Sequence, residues 1–350
     1  MRNQHPGTSS CLDNLQRPLH DLRISVTDRC NLRCTYCMPR EVFGKNFVFL
    51  RHAELLSFEE ILRVARQGVA LGVRKIRLSG GEPLLRHGIE RLVEMLAGLR
   101  CEDGKPVELA MTTNGTLLAK KARALKDAGL MRLNISLDAL DEAVFKRMSG
   151  SGGLATPTTV LDGIAAAVDA GLTPLKINAV VKRGFNENEI LPLIRHFRHT
   201  GIIMRFIEFM DVGDTNGWRL DDVVTSREIL AKIDAEFPLR PIDPHYPGEV
   251  AERWEFLDGG GEIGLIASVT QAFCHTCSRL RLSLDGKLYT CLFATEGADL
   301  RSLLRERGSD TDLRQRIAAV WRYRSDRYSQ LRHEMTKVPS GKIEMSYIGG

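Results

Sequence analysis

Residues 21–39 read DLRISVTDRCNLRCTYCMP. Leu22, Ile24 and Val26 alternate with Arg23, Ser25 and Thr27. That period of two belongs to a β-strand with one apolar and one polar face. Cys30, Cys34 and Cys37 follow at once, spaced C-x3-C-x2-C. A second stretch, FCHTCSRLRLSLDGKLYTC (273–291), sets Cys274, Cys277 and Cys291 at C-x2-C-x13-C. Six of the eight cysteines therefore fall in two groups of three. Thiolates at such spacing ligate zinc or iron–sulfur clusters. Structural zinc wants four ligands, and the first triplet has no fourth Cys or His close by. A four-iron cluster held by three thiolates leaves one iron open to an outside ligand. His275 sits inside the second C-x2-C, where a side chain usually points elsewhere.

The polar face recurs along the chain. Arg77 and Ser79 oppose Ile76 and Leu78; Glu108, Ala110 and Thr112 oppose Val107, Leu109 and Met111. Asn134, Ser136 and Asp138 oppose Leu133, Ile135 and Leu137; Lys176 and Asn178 oppose Leu175, Ile177 and Ala179. A sixth strand-like run is IMRFIEF (203–209). Helix-like stretches at 57–71, 88–99, 116–128, 159–170 and 187–199 separate these strands. Ser57 with Glu60 forms a capping box, and Gly72 and Gly129 mark helix ends. A parallel sheet covered on both faces would be almost wholly apolar. Five half-polar strands predict instead an α/β fold, a partial (β/α)6 TIM-type barrel with helices outside and a polar lumen. Buried Arg and Lys there require an anion or carboxylate.

After the Pro-rich PIDPHYPGE (241–249) the rhythm changes to short strands and two helix-like stretches near 299–306 and 310–324. The division expected is a mobile polar arm over 1–20, the barrel over 21–238, and a smaller cluster-binding extension over 239–350. A hairpin turning at Asp285-Gly286 pairs Leu284 with Lys287 and Cys291 with Leu280, bringing Cys291 back to Cys277. Arg279 and Arg281 share a face beside that cluster, which suits a phosphate or carboxylate.

Composition narrows the class. The chain has 350 residues, 43% hydrophobic and 27% charged, with a net charge of +5. That is a globular composition. No apolar run reaches the roughly 18 residues of a membrane span, and the start lacks the apolar core of a secretion signal. Clustered thiols in such a chain read as metal ligands kept reduced in a cytosol-like compartment. Cys11 and Cys101 read as plain thiols. A zinc-dependent nucleic-acid binder would need a basic stripe with interleaved aromatics; aromatics are only 6%.

These two stretches, with IRLSGGEPLLR (76–86), TTNGTLL (112–118), LNISLDAL (133–140), RFIEFMDVG (205–213) and the terminal GG, resemble the radical S-adenosylmethionine superfamily. Within it the resemblance is to the enzymes that begin molybdenum cofactor biosynthesis, and it covers roughly residues 20 to 350. It implies two [4Fe-4S] clusters, the first cleaving S-adenosylmethionine and the second holding substrate. It implies cofactor contacts from Tyr36, Gly81, Ser136 and Met210. It implies GTP contacts from Arg23, Arg77, Thr112, Lys176, Arg279 and Arg281, with Gly349 and Gly350 on a tail that reaches the active site. The implied reaction turns GTP into (8S)-3',8-cyclo-7,8-dihydroguanosine 5'-triphosphate. Implied partners are a flavodoxin- or ferredoxin-like low-potential donor, a downstream cyclic pyranopterin monophosphate synthase and a second copy in a homodimer, in the cytoplasm. Ser278 stands where asparagine is common and Ser79 where threonine is; both stay small and polar. The rivals are a radical enzyme acting on a peptide or another nucleotide, and a non-catalytic iron–sulfur carrier or sensor. The carrier would leave GGEP, Ser136 and the charged lumen without a role.

Overall fold

A computed structural model describes residues 11–349 except 154, 247, 307 and 333–339. Six strands run parallel in chain order: β1 (Asp21–Ser25), β2 (Lys75–Ser79), β3 (Glu108–Thr113), β4 (Arg132–Ser136), β5 (Lys176–Val181) and β6 (Ile203–Glu208). Helices connect them: α1 (Phe58–Ala70), α2 (Ile89–Ala97), α3 (Leu118–Asp127), α4 (Glu142–Ser149), α5 (Pro157–Asp169) and α6 (Ile190–Phe197), with α7 (Ser226–Asp234) after β6. This is the expected partial barrel of six βα units. The C-terminal part does not form a sheet of its own. β7 (Leu239–Ile242), β8 (Glu252–Phe256) and β9 (Glu262–Ile266) extend one side, β9 pairing parallel to β6. β10 (Arg279–Leu282), β11 (Lys287–Tyr289) and β12 (Ala298–Asp299) extend the other, β10 pairing parallel to β1. The result is a single twelve-stranded sheet, with the second cysteine group beside the first strand.

The alternation read from sequence sets the layers. Leu22, Ile24, Ile76, Leu78, Leu133 and Ile177 are each 1% exposed or less and form one core with the helices. Truncating such a side chain to Ala costs about 2–5 kcal/mol. Ser57 caps α1, accepting from Glu60 N at 3.1 Å, while the Glu60 carboxylate accepts from Ser57 N at 2.7 Å. Gly72 (φ +109°) and Gly129 (φ +98°) end α1 and α3 in a conformation that glycine tolerates. α4 and α7 fall outside the five helices expected from sequence. Each is short, eight and nine residues, but well capped by Asp141 and Thr225.

The arm expected to be mobile over 1–20 is corrected for its second half; residues 1–10 lie outside the described residues. Leu19, Arg17 and Asp13 are 0%, 2% and 3% exposed. Leu12 and Pro18 form a bridge, and Cys11 N donates to Leu71 O at 3.2 Å. Its charges Asp13 and Arg17 pair inside the protein, while Leu12, Asn14, Leu15, Gln16 and Pro18 face water.

Candidate active site

The loop bearing Cys30, Cys34 and Cys37 leaves the C-terminal end of β1 and lies backbone to backbone against residues 80–82. Gly81 N donates to Thr27 O at 2.7 Å and Glu82 N to Arg29 O at 2.8 Å. A Cβ on Gly81 would lie 2.2 Å from Arg29 O, so only glycine allows the two loops to touch. Glu82 fastens the loop after β3, accepting from Thr113 Oγ1 at 2.7 Å and Asn114 N at 2.8 Å. Burial lifts its carboxyl to about 7. Asn114 Nδ2 in turn faces Cys30 Sγ at 3.8 Å. Tyr36 donates to Asp138 Oδ2 at 2.8 Å, and Val180 N donates to Asp138 Oδ1 at 2.9 Å. The Tyr36 ring packs with Met148 and Phe209 against Cys34 and Cys37.

Burial pushes all three thiols up, Cys30 to about 11 and Cys34 and Cys37 further, with each of the last two also feeling neighbouring thiolate charge. They ionise there only if a cation takes the place of their protons. Among the described residues no three Cys, His, Asp or Glu side chains close around one ion position. Three thiols near enough to act on one another's charge can serve as ligands of one iron–sulfur cluster.

Across the lumen the charges line up by register. Arg281, Arg23 and Arg77 sit abreast on β10, β1 and β2. Among the described residues none of the three has a carboxylate within 4.0 Å. Arg77 reaches Thr112 Oγ1 at 3.3 Å. With its amide oxygen turned to them, Asn134 accepts from Arg77 at 2.8 Å and from Arg205 at 2.6 Å. Burial first, then the neighbouring guanidiniums, pull Arg23 well below its usual value and Arg281 to about 10. Lys176 is brought to about 8 by burial and Arg205, with Glu249 only 3.8 Å away as a partial counterweight. Lys75, by contrast, is neutralised by Glu108 at 2.7 Å. The unpaired row is the part that needs an anionic ligand.

The second triplet closes the opposite wall, with one correction. The hairpin pairs Arg281 with Tyr289 and Leu282 with Leu288, and Ser283 N donates to Lys287 O at 2.9 Å. The loop is thus one residue longer than expected, and the register slips by one. Ser283 Oγ accepts from Lys287 N at 2.9 Å, and Gly286 takes φ +93°, which stabilises the longer turn. A slip of one exchanges faces. Continued past Tyr289, the observed register sets Cys291 against Arg279 instead of Leu280. The cysteine therefore stays on the polar face, with Arg279 and Arg281. Burial alone would raise the Cys277 thiol, but Arg279 and Arg324 bring it down to about 6. Arg279 NH2 lies 3.3 Å and Arg324 NH2 3.1 Å from Cys277 Sγ. His275 is exposed, as its place inside the C-x2-C suggested.

One cavity of about 330 Å³ joins both walls. It is lined by all six cysteines and by Arg23, Tyr36, Arg77, Gly81, Thr112, Ser136, Lys176, Met210, Arg279 and Arg281. Gly349 O accepts from Arg281, so the tail enters beside the arginine row; Gly350 lies outside the described residues. Ser278 Oγ donates to Asp21 Oδ2 at 2.8 Å, a role its small hydroxyl fills.

A protein of Acidothermus cellulolyticus named GTP 3',8-cyclase is 51% identical over 98% of this chain and 100% of its own length. The chain belongs to the GTP 3',8-cyclase family. A cyclase of Staphylococcus haemolyticus is 48% identical over 97% of this chain and 98% of its own. Residues 24–197 match the Radical SAM superfamily and residues 202–330 match Molybdenum Cofactor Synthesis C. The cyclase fold extends to more distant proteins. SuiB of Streptococcus suis, solved with bound S-adenosylmethionine, superposes with TM-score 0.61 at 16% identity, over 92% of this chain and 69% of that one. As a radical S-adenosylmethionine cyclase the chain is an enzyme, and its two thiol triplets and unpaired cations fit the cofactors of that family.

Sequence reasoning did not single out Glu82, Asn114, Asp138, Arg205 or Arg324. Asp138 carried the signal already in use, since it lies on the polar face with Asn134 and Ser136; Arg205 did not, because Ile203 and Ile207 share its face. Arg324 carried none, because it comes from the loop after the helix Asp310–Arg322.

Proposed function

We propose that this cyclase converts GTP to (8S)-3',8-cyclo-7,8-dihydroguanosine 5'-triphosphate, the first step of molybdenum cofactor biosynthesis. The row Arg281–Arg23–Arg77, unpaired and set between two thiol triplets, carries the reading. With S-adenosylmethionine, the cluster on Cys30, Cys34 and Cys37 supplies one-electron chemistry able to remove hydrogen from an unactivated ribose carbon. The chain's own residues bind, orient and exclude water. Arg23, Arg77, Arg279, Arg281, Lys176 and Thr112 hold the triphosphate. Gly81, Ser136, Tyr36 and Met210 hold the cofactor, with Tyr36 fixed by Asp138. Cys274, Cys277 and Cys291 would hold the second cluster, which would bind the guanine end of the substrate. Gly349, whose carbonyl accepts from Arg281, closes the pocket behind the phosphates.

Residues 21–238 form the barrel unit and 239–350 the cluster-binding extension. The enzyme works as a cytoplasmic homodimer, takes electrons from a flavodoxin- or ferredoxin-like donor and hands its product to a cyclic pyranopterin monophosphate synthase. No helix among the described residues is long and apolar enough to cross a membrane.

The test is anaerobic reconstitution with iron and sulfide, iron counting, then dithionite, S-adenosylmethionine and GTP. Iron in both clusters with GTP-dependent 5'-deoxyadenosine supports the reading. Both clusters without that product moves the substrate elsewhere. Zinc in place of iron overturns it.

A further inference from the structure

The segment just after the first thiol triplet is unusual on its outer side. Val48 is 88% exposed, and Val42 and Phe47 are 43% and 38% exposed. Phe43, Phe47 and Phe49 pack in series, tilted and then edge-to-face, with ring centroids 4.6 and 4.8 Å apart. Arg29 and Arg33 lie over the Phe49 ring at 5.3 and 5.8 Å. Arg33 NH1 also donates to Cys30 O at 2.7 Å, and its Nε donates to Phe43 O at 2.7 Å. The exposed apolar tip is therefore built directly onto the backbone of a cluster-ligating cysteine. Its rim is one-sided in charge. Between residues 29 and 51 there are five basic residues (Arg29, Arg33, Arg40, Lys45, Arg51) and one acid, Glu41; Arg51 is paired with Glu54 at 3.0 Å, so the other four carry the excess. All but Arg33 are exposed. A small apolar centre inside a charged rim is how transient protein interfaces are made.

We propose that residues 40–51 form the docking surface for a small acidic protein carrying a low-potential one-electron centre. The inference rests on the reading that Cys30, Cys34 and Cys37 hold a redox-active cluster. The partner gives up one electron and is oxidised by one; the cluster takes it and is reduced by one. The surface suits that transfer because tunnelling falls steeply with distance, and the tip is joined to Cys30 through a single arginine. The basic rim selects an acidic partner and speeds its encounter. The apolar tip, Phe47 with Val48, supplies the contact that orients it.

The experiment compares two reductants on the reconstituted full-length enzyme, reading 5'-deoxyadenosine formed with GTP present. One is dithionite; the other is flavodoxin hydroquinone, an acidic protein donor. The variant is Lys45→Glu with Val48→Asp, both exposed and outside the cavity. The rate with dithionite should be unchanged. The second-order rate with flavodoxin should fall about tenfold, and its salt dependence should flatten. Equal rates with flavodoxin, or equal losses with both reductants, overturn the proposal. So does a variant that dissociates from dimer to monomer, or a wild type whose binding to anionic vesicles is lost in the variant while flavodoxin kinetics stay the same. A wild type inactive with dithionite would instead count against the redox reading beneath it.

Discussion

Asp13 and Arg324, 311 positions apart, meet in a buried pair: Arg324 NH1 lies 3.4 Å from Asp13 Oδ2, with side chains 2% and 0% exposed. Asp13 Oδ2 also accepts from Arg17 Nε at 2.6 Å. Both arginines then reach the second triplet. Arg17 donates to Cys274 O at 2.7 Å and Arg324 to Cys277 O at 2.6 Å. One carboxylate from the start of the chain thus holds two guanidiniums from opposite ends against the cluster loop.

Asp13→Asn takes the one carboxylate from Arg17 and leaves Arg324 only Asp326, at 3.4 Å; breaking a buried pair costs about 3–5 kcal/mol. The expected outcome is a lower denaturation midpoint, with iron lost from the second triplet and kept at the first. Iron counting with Mössbauer spectroscopy reads both. Full retention of iron would show that Asp13 does not support the cluster loop.

Arg23→Leu separates binding from stability. Removing a cation that has cations beside it should stabilise the unliganded protein, by roughly 1–4 kcal/mol where buried charge gives way to an apolar side chain. GTP affinity should fall at least about tenfold, since a charge-assisted hydrogen bond is worth about 1.5–3 kcal/mol. Urea denaturation and a binding titration measure the two effects. A variant that loses stability and keeps GTP affinity contradicts the phosphate role.

Arg279→Ala should weaken GTP binding strongly and leave cofactor cleavage largely intact. A binding titration checks the first part and 5'-deoxyadenosine formation the second. Unchanged GTP affinity refutes the contact.

Lys176 gives the binding site a pH dependence. Burial and Arg205 lower it to about 8, so it is charged below that pH and neutral above. Phosphate attraction is therefore present below about pH 8 and is lost as the pH rises through it. GTP affinity should decline across that range in the wild type. Lys176→Arg, which keeps its charge, should bind with a flat profile there. A wild-type profile that is already flat excludes Lys176 from the phosphate contacts.

Gly81→Ala tests the loop contact. The added methyl would need the Arg29 carbonyl to move, because the present separation is 2.2 Å. Overpacking of this kind costs about 1–3 kcal/mol. S-adenosylmethionine titration should show weakened binding while far-ultraviolet circular dichroism keeps the native barrel signal.

Much of this site was legible from local pattern alone. Strand alternation has a period of two, so the side of the sheet that Arg23, Arg77, Thr112, Ser136 and Lys176 occupy follows from neighbours within each segment. The two cysteine spacings and the capped helices are equally local. The resemblance carried by GGEP and the double triplet turned that pattern into a chemistry. Asp138 was within reach of the same rule; Arg205, between Ile203 and Ile207 on its face, was not.

What tertiary structure alone decided is which segments meet. Parallel register placed Arg281 beside Arg23, although more than 250 residues separate them in the sequence. The one-residue slip in the hairpin put Cys291 on the polar face, because a turn's length depends on Ser283 and Gly286 acting together. The segment from Cys11 to His20 looked solvated, yet its charges are satisfied by Arg324 and the Cys274 loop. Periodicity tells a side chain which way to face within its own element. It cannot tell which distant backbone will be there, because that is set by the packing of the whole sheet.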